Sequence, residues 1–371
     1  MAERILVTGG AGFIGRHLAR ALLRAGHEVR ILDSLIEQVH GDGGRPRDLD
    51  PEAELLIGDV RDEAILRTAL QGVDKVVHLA AEVGVGQSMY AVDRYVSVND
   101  HGTAVLFQAL IDRPVKRVVV ASSMSIYGEG LYRDADGGLH EGVTRPARTG
   151  GAQPWDPLDA KGRPLLPVPT PESKQPALAS VYAITKYVQE RLTLTLAPAY
   201  GMEGVALRLW NIYGPGQALS NPYTGVLAIF ASRLHNRQPP MIFEDGQQRR
   251  DFVHVEDVAR AFMLALDHPD APGGVFNIGS GEERTVEQVA ALLAEAMGLP
   301  AIAPEITGKA RAGDIRHCIP DISLARRVLG YAPRRDFREG LAELADWVAQ
   351  QQAEDRVQQA RRELEARGLV A

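Results

Sequence analysis

A tyrosine and a lysine stand four residues apart in "SVYAITKYVQERL", residues 180–192. In a helix, positions i and i+4 share a face, so Tyr182 and Lys186 point into the same space. A tyrosine normally titrates near 10, so only about one in a thousand is ionised at neutral pH. Bringing that value to about 7 takes roughly 4 kcal/mol, which an ammonium about 4 Å away supplies at an effective dielectric near 20. Tyr182 then becomes a base for a substrate hydroxyl whose carbon is oxidised by loss of a hydride. A Tyr–Lys pair of this spacing is common by chance, so its setting decides. Upstream, "ASSMSIYG" (121–128) closes a strand and lets Ser123 present a hydroxyl over the same region.

A second constellation points to the hydride acceptor. "TGGAGFIG" (8–15) spaces Gly9, Gly12 and Gly15 as G-x-x-G-x-x-G, after a strand and at the start of a helix. Glycines permit a tight turn and close backbone approach, and the free amides of the helix start, at Phe13 and Ile14, suit a pyrophosphate. Asp33 follows Gly15 by 18 residues, at the end of the second strand. A carboxylate there accepts hydrogen bonds from a ribose 2′-OH and repels a 2′-phosphate, which favours NAD over NADP. Arg16, beside the turn, argues the other way. Asp59 and Val60, in "GDVRD", sit where an adenine edge is read, although Asp59 equally suits a cap for the next helix.

The elements that must position these residues follow from periodicity. "RILVTG" (4–9), "EVRILD" (28–33), "ELLIGD" (54–59), "KVVHLA" (75–80) and "RVVVAS" (117–122) each read as fully buried strands. "RHLARALLRAG" and "AILRTALQG" between them have helical spacing, with Gly26 and Gly72 as stops. Alternation of this kind means a parallel, doubly wound α/β sheet of Rossmann type. From about residue 132 to 176 the texture changes, with eight prolines between Pro146 and Pro176, too many for a regular element. Such an excursion is an insert rather than a linker, and it is expected to pack near the substrate pocket. Residues 177–198 return to helix and "VALRLWNIYG" (205–214) reads as one further strand. The expected division is a cofactor domain over 1–215 and a smaller substrate lobe over 216–349. The charged helix of 350–371 carries Val357, Ala360 and Leu364 on one stripe and should pack on its own protein.

Composition sets the outer bounds. Apolar residues make up 45% of the 371 residues, as in a globular protein, and the net charge of −7 disfavours nucleic acid or an anionic membrane. The single cysteine, Cys318, excludes an internal disulfide and a Cys-rich metal site, and no metal is expected. No run of 18 apolar residues exists and the N-terminus enters a strand directly, so a soluble, cytoplasmic protein is expected.

Taken together, the glycine loop, Ser123 and Tyr182-x-x-x-Lys186 resemble the extended short-chain dehydrogenase/reductase family, in particular its NAD-dependent sugar-nucleotide epimerases and dehydratases. The likeness runs over residues 4–349 and continues in "RLWNIYGPG" (208–216), "RDFVHVEDVA" (250–259), "FNIGSG" (276–281) and "RAGD" (311–314). It implies that Asn211, Arg250 and Arg311 hold a nucleotide diphosphate, with Asp314 fixing the arginine or touching the ribose. Guanidinium forks suit that task. It further implies Leu79, Ala80, Ala81, Asn99 and Ser122 around the cofactor, Ser88 at the substrate, and a homodimer formed by the helices after Val98 and around Tyr182. Dehydratases of the family carry Thr-Asp-Glu where this chain has Ser123-Met124-Ser125, and Met124 moves no proton. Epimerisation needs only Tyr, Lys, Ser and NAD. "AAEVGVGQSM" (80–89) would border the sugar, with Val83 where many UDP-galactose epimerases place lysine. "SSMSIYGEG" and the insert ending "PVPTPESK" look most like a bacterial subgroup that includes dTDP-L-rhamnose 4-epimerases, forming dTDP-6-deoxy-L-talose. The alternatives are UDP-glucose or UDP-N-acetylglucosamine 4-epimerisation, a one-way keto-sugar reductase, and a silent NAD-binding sensor.

Overall fold

The computed structural model describes residues 2–41, 44–145, 154–221, 223, 225–311, 313–351 and 357–370. Its centre is a seven-stranded sheet. Strands β1 (Arg4–Thr8), β2 (Glu28–Asp33), β3 (Glu54–Ile57), β4 (Lys75–His78) and β5 (Arg117–Ser123) are joined by Glu203–Leu209 and Val275–Ile278. Across the sheet the order is Val275–Ile278, Glu203–Leu209, β5, β4, β1, β2, β3, and every pair is parallel. Parallel neighbours need crossovers, and helices supply them. The strand order turns between β1 and β4, and a crevice opens there beyond the carboxyl ends.

Side chains alternate along each strand and fill two layers. Ile5, Val7, Val77, Val119 and Leu207 face Leu18 and Leu22 of the helix Phe13–Arg24 and Phe262 of the helix Val255–Asp267. Leu6, Val76 and Val118 face the opposite way, toward Leu66, Leu106 and Phe107. The division expected at residue 215 is not a clean cut, because Val255–Asp267 and Val275–Ile278 both return to this sheet. A separate cluster of Leu227, Phe230, Leu293, Phe337 and Leu344 forms the core of the second lobe.

Three expectations need correction. β3 is not fully buried: it is the outermost strand, paired only with β2, and Ile57 is 64% exposed. The run 205–214 is two strands. Glu203–Leu209 stays in the large sheet, whereas Asn211–Tyr213 turns away after Trp210 to pair with Arg249–His254 in a second sheet. Finally, the proline-rich insert contains a regular element. Leu131–Arg133 pairs antiparallel with both Leu139–His140 and Leu166–Val168. Pro167 fits because it lies on an outer strand, where a missing N–H breaks no ladder. Among the described residues no helix is long and apolar enough to cross a membrane.

Candidate active site

The helix Val181–Ala199 begins at Ser180, whose side chain accepts the Ala183 N–H at 3.1 Å. That cap puts Tyr182 in the first turn, where its own N–H is donated to Ser88 Oγ at 3.0 Å. The helix packs beside β5, so the last residue of that strand, Ser123, meets the Tyr182 hydroxyl in a hydrogen bond. Ser123 Oγ also accepts from the Ser125 hydroxyl at 2.9 Å and the Ser125 N–H at 3.2 Å. Tyr182, Ser123, Ser125 and Lys186 all line one cavity of about 1200 Å³.

The electrostatics differ from the simple Tyr–Lys picture. Lys186 Nζ donates to Gln189 Oε1 at 2.6 Å, one turn further along the helix. Gln189 Nε2 in turn reaches Thr103 Oγ1 at 2.9 Å and His78 Nε2 at 3.1 Å. With His78 Nε2 accepting, Nδ1 carries the proton and donates to Thr8 Oγ1 at 2.7 Å. Burial pushes Lys186 down to about 7, against the opposing pull of Glu190, and pushes His78 down to about 3. Burial likewise raises Tyr182, with the Ser123 hydrogen bond working the other way. Proximity to an ammonium is therefore opposed here by burial of both partners. Both groups are desolvated, and desolvation disfavours both charges.

The glycine loop lines the same cavity. Gly9 has φ +69°, and a Cβ on it would stand 2.7 Å from the Ala80 nitrogen; one on Gly15 would stand 2.4 Å from Gly10 Cα. Gly12 starts the helix without a side-chain cap, so the first-turn amides at Phe13 and Ile14 have no acceptor within the helix. Asp33 orders the loop by accepting the N–H groups of Ala11 at 3.0 Å and Leu35 at 2.9 Å. Asp59 is held below the usual carboxylate range by its hydrogen bonds to Arg61. It does not cap the next helix; Asp62 does. Val60, Leu79, Ala80, Ala81 and Ser122 line the same wall, although the Ser122 hydroxyl itself is donated to Glu190 at 2.6 Å.

Two arginines converge on the wall contributed by the second lobe. Arg250 donates to the carbonyls of Ile315 and Arg316, which sets its guanidinium beside the segment carrying Arg311 and Asp314. Arg311 bonds Asp314 Oδ2 at 2.9 and 3.1 Å and lies over the Phe243 ring. Burial would raise Asp314, but Arg311 and Arg250 hold its carboxyl below the usual range. Asn211 donates to the Asp251 carbonyl at 2.9 Å. All four line the cavity.

Residues 5–149 and 161–279 match the NAD dependent epimerase/dehydratase family. The chain belongs to that family. It is 35% identical to a dTDP-L-rhamnose 4-epimerase of Burkholderia thailandensis, over 94% of this chain and 96% of the relative. A UDP-glucose 4-epimerase of Thermotoga maritima, solved with UDP-glucose, superposes with a TM-score of 0.75 at 31% identity, covering 93% of this chain and 98% of that one. DesIV, a dTDP-glucose 4,6-dehydratase of Streptomyces venezuelae solved with NAD bound, gives 0.76 at 29% identity, with 93% and 96% covered.

NAD is the cofactor of this family, and the chain's own loop suits it. The positive φ at Gly9, the closed contact at Gly15 and the uncapped helix start leave backbone amides facing a space that side chains would fill. Two residues expected at ligands are placed elsewhere. Ser88 is fully buried behind the wall, where it bonds the Val85 carbonyl at 2.7 Å and the Tyr182 N–H; it positions the helix start. Asn99, also fully buried, bridges the main chain of Glu82 to Thr185. The insert lies behind the wall rather than in it: none of its described residues lines the cavity, but Arg145 donates to the carbonyl of Asp314, which does. Other lining residues were not anticipated. Trp210, Gln217 and Gln248 each carry a buried polar atom with no partner among the described residues. Ala360, Arg361 and Leu364 of the C-terminal helix complete the enclosure.

Proposed function

We propose that the chain is a nucleotide-sugar 4-epimerase, and that its substrate is dTDP-L-rhamnose, converted to dTDP-6-deoxy-L-talose. The observation that carries the reading is the make-up of the catalytic wall. Ser123, Tyr182 and Lys186 stand together, and the residue between the two serines is Met124, which packs beside Asn211 and offers no proton. Glu82, a carboxylate that lines the cavity on the 80–89 loop, is paired with Arg94 at 2.7 Å. One base and one hydroxyl donor serve reversible oxidation at a single carbinol; expulsion of a neighbouring hydroxyl needs a further acid.

Bound NAD supplies the hydride acceptor and, in the return step, the donor. Tyr182 takes the proton of the C4 hydroxyl while Ser123 donates a hydrogen bond to the same oxygen. Lys186, held by Gln189, sets the potential at the phenol. Arg250 and Arg311 grip the diphosphate, about which the keto sugar turns to present its other face. Tyr182 then returns the proton. Trp210, Gln217 and Gln248 gain partners from the ligand.

Proton NMR of dTDP-L-rhamnose incubated with the protein tests this, with no added cofactor and no change in absorbance at 340 nm. A second spin system inverted at C4 is the expected result; an unchanged spectrum removes this substrate. UDP-glucose is the second reading, favoured by the likeness to the Thermotoga maritima enzyme, and the same assay decides it. We also propose a homodimer. Ile184, on the helix around Tyr182 that is expected to pair, is 44% exposed, and Val92 and Val96, in the turns just before the other expected helix, are 46% and 41% exposed. Ile184→Glu should convert a dimer to a monomer in light scattering, and a monomeric parent would sink the idea.

A further inference from the structure

The C-terminal helix Val357–Ala366 is short and highly charged, too short to persist alone in water. It is nevertheless tied down on both sides of the cavity. On one side Glu363 accepts from the hydroxyls of Tyr90 at 3.0 Å and Tyr223 at 2.9 Å, and Arg367 lies 4.3 Å over the Tyr90 ring. On the other, Glu365 accepts from Lys309 at 2.9 Å, and Val370 forms a β-bridge with Arg311 itself. Ala360 and Leu364, 7% and 6% exposed, turn their stripe inward and line the cavity shared with Tyr182. A Cβ on Gly86 would touch Leu364 at 3.5 Å, which seats the leucine on the 80–89 loop. The contacts lead on to the chemistry. Tyr223 and the Tyr95 hydroxyl both stand about 3 Å from where a Cβ on Gly84 would lie, and the Tyr95 ring meets the Tyr182 ring edge-on at 6.4 Å.

We propose that this helix is the outer wall of the sugar end of the cavity, and that Leu364 and Ala360 retain the keto sugar between its two hydride transfers. The inference rests on the epimerase reading. With NAD bound to accept the hydride pair, breaking of the C4–H and O–H bonds in the first half-reaction would pass the proton to Tyr182 and leave a C4=O double bond. The sugar then loses its hydrogen bond as a donor and must turn, held only at the diphosphate. An apolar wall without hydrogen-bonding groups lets it turn and excludes water. The ties to Arg311 and to Tyr223 join that wall to the diphosphate grip and to the sugar loop.

The test uses the full-length protein as purified, with dTDP-L-rhamnose, or UDP-glucose if that is the sugar it turns over. Leu364→Glu puts a carboxylate into the seam, while Arg362→Ala changes an exposed neighbour as the control. Escaped keto sugar is captured as its oxime with methoxyamine and counted by mass spectrometry. The dissociation constant for the sugar nucleotide is measured by calorimetry. Leu364→Glu should release at least about tenfold more oxime per turnover and bind about tenfold more weakly, as loss of a leucine-sized apolar contact implies. The control should match the parent. Oxime yield and affinity both within twofold of the parent would overturn the proposal. Should Leu364→Glu not fold, Leu364→Ala is read the same way, with about threefold effects expected. If the parent epimerises neither sugar, the epimerase reading fails. The calorimetric comparison then still decides whether the helix walls the site.

Discussion

At the scale of single residues, the catalytic wall is a balance between two desolvated groups. Tyr182 resists ionisation because it is buried, and Lys186 holds its charge weakly for the same reason. Tyr182→Phe deletes the group proposed to take the C4 proton, so turnover should fall by about three orders of magnitude with NAD still bound. Turnover within tenfold of the parent would refute its role. Gln189 offers a subtler probe. Lys186 interacts with Glu190 and His78 and shares the cavity wall with Tyr182, and among the described residues Gln189 alone accepts its hydrogen bond. Gln189→Glu should raise the lysine and move the alkaline limb of kcat upward. Gln189→Leu should move it downward, with the nucleotide-sugar KM within about twofold in both. Identical pH profiles in all three proteins would show that Gln189 is merely packed.

At the scale of elements, the insert works from behind the cavity. Arg316, 1% exposed, bonds Asp156 of the insert at 2.7 Å together with Glu244 and Asp245. Arg145 adds the carbonyl of Asp314 at 2.8 Å, and Thr170 pairs by main chain with Ile319 and Asp321. The segment that carries Arg311 and Asp314 into the cavity is thus gripped on its far side. Asp156→Asn should loosen that grip by about 1 kcal/mol, because Asp156 is half-exposed. KM should rise about fivefold with kcat unchanged; a fall in kcat alone would contradict a positioning role. What the sequence showed and what it hid divide along this line. The placement of Gly9, Tyr182 and Lys186 on one cavity was legible because each signal is carried within a few residues by turn or helix geometry, and that of Asp33 because it ends the next strand of the sheet. The Gln189–His78 contact spans 111 positions and no local pattern announces it. The insert's strands were masked by prolines, which break a ladder only where an inner N–H is needed. The stripe Ala360–Leu364 was visible, but not the surface that it covers.

At the scale of the whole molecule, a cavity built between a sheet edge and a second lobe brings ionisable groups inside, and global stability then depends on pH. His78 titrates at about 3 when folded and near 6.5 in an unfolded chain, so between those values the unfolded chain takes up the proton first. Its contribution is full above about 6.5 and is lost as pH falls toward 3, roughly 4–5 kcal/mol in all. Lys186, at about 7 against roughly 10.4 unfolded, acts with the same sign in a higher window. Asp251 opposes them: burial raises it to about 6, so the folded chain binds that proton first and gains stability as pH falls from about 6 to 4. The net acid response is a difference of such contributions, and one substitution separates them. His78→Gln loses the bond to Thr8 and should lower Tm at pH 8. Its Tm should then fall less steeply than the parent's from pH 6.5 to pH 4, so that the two curves converge. Melting curves recorded across that range would show it, and a constant gap between the two proteins would mean that His78 does not control the acid limb.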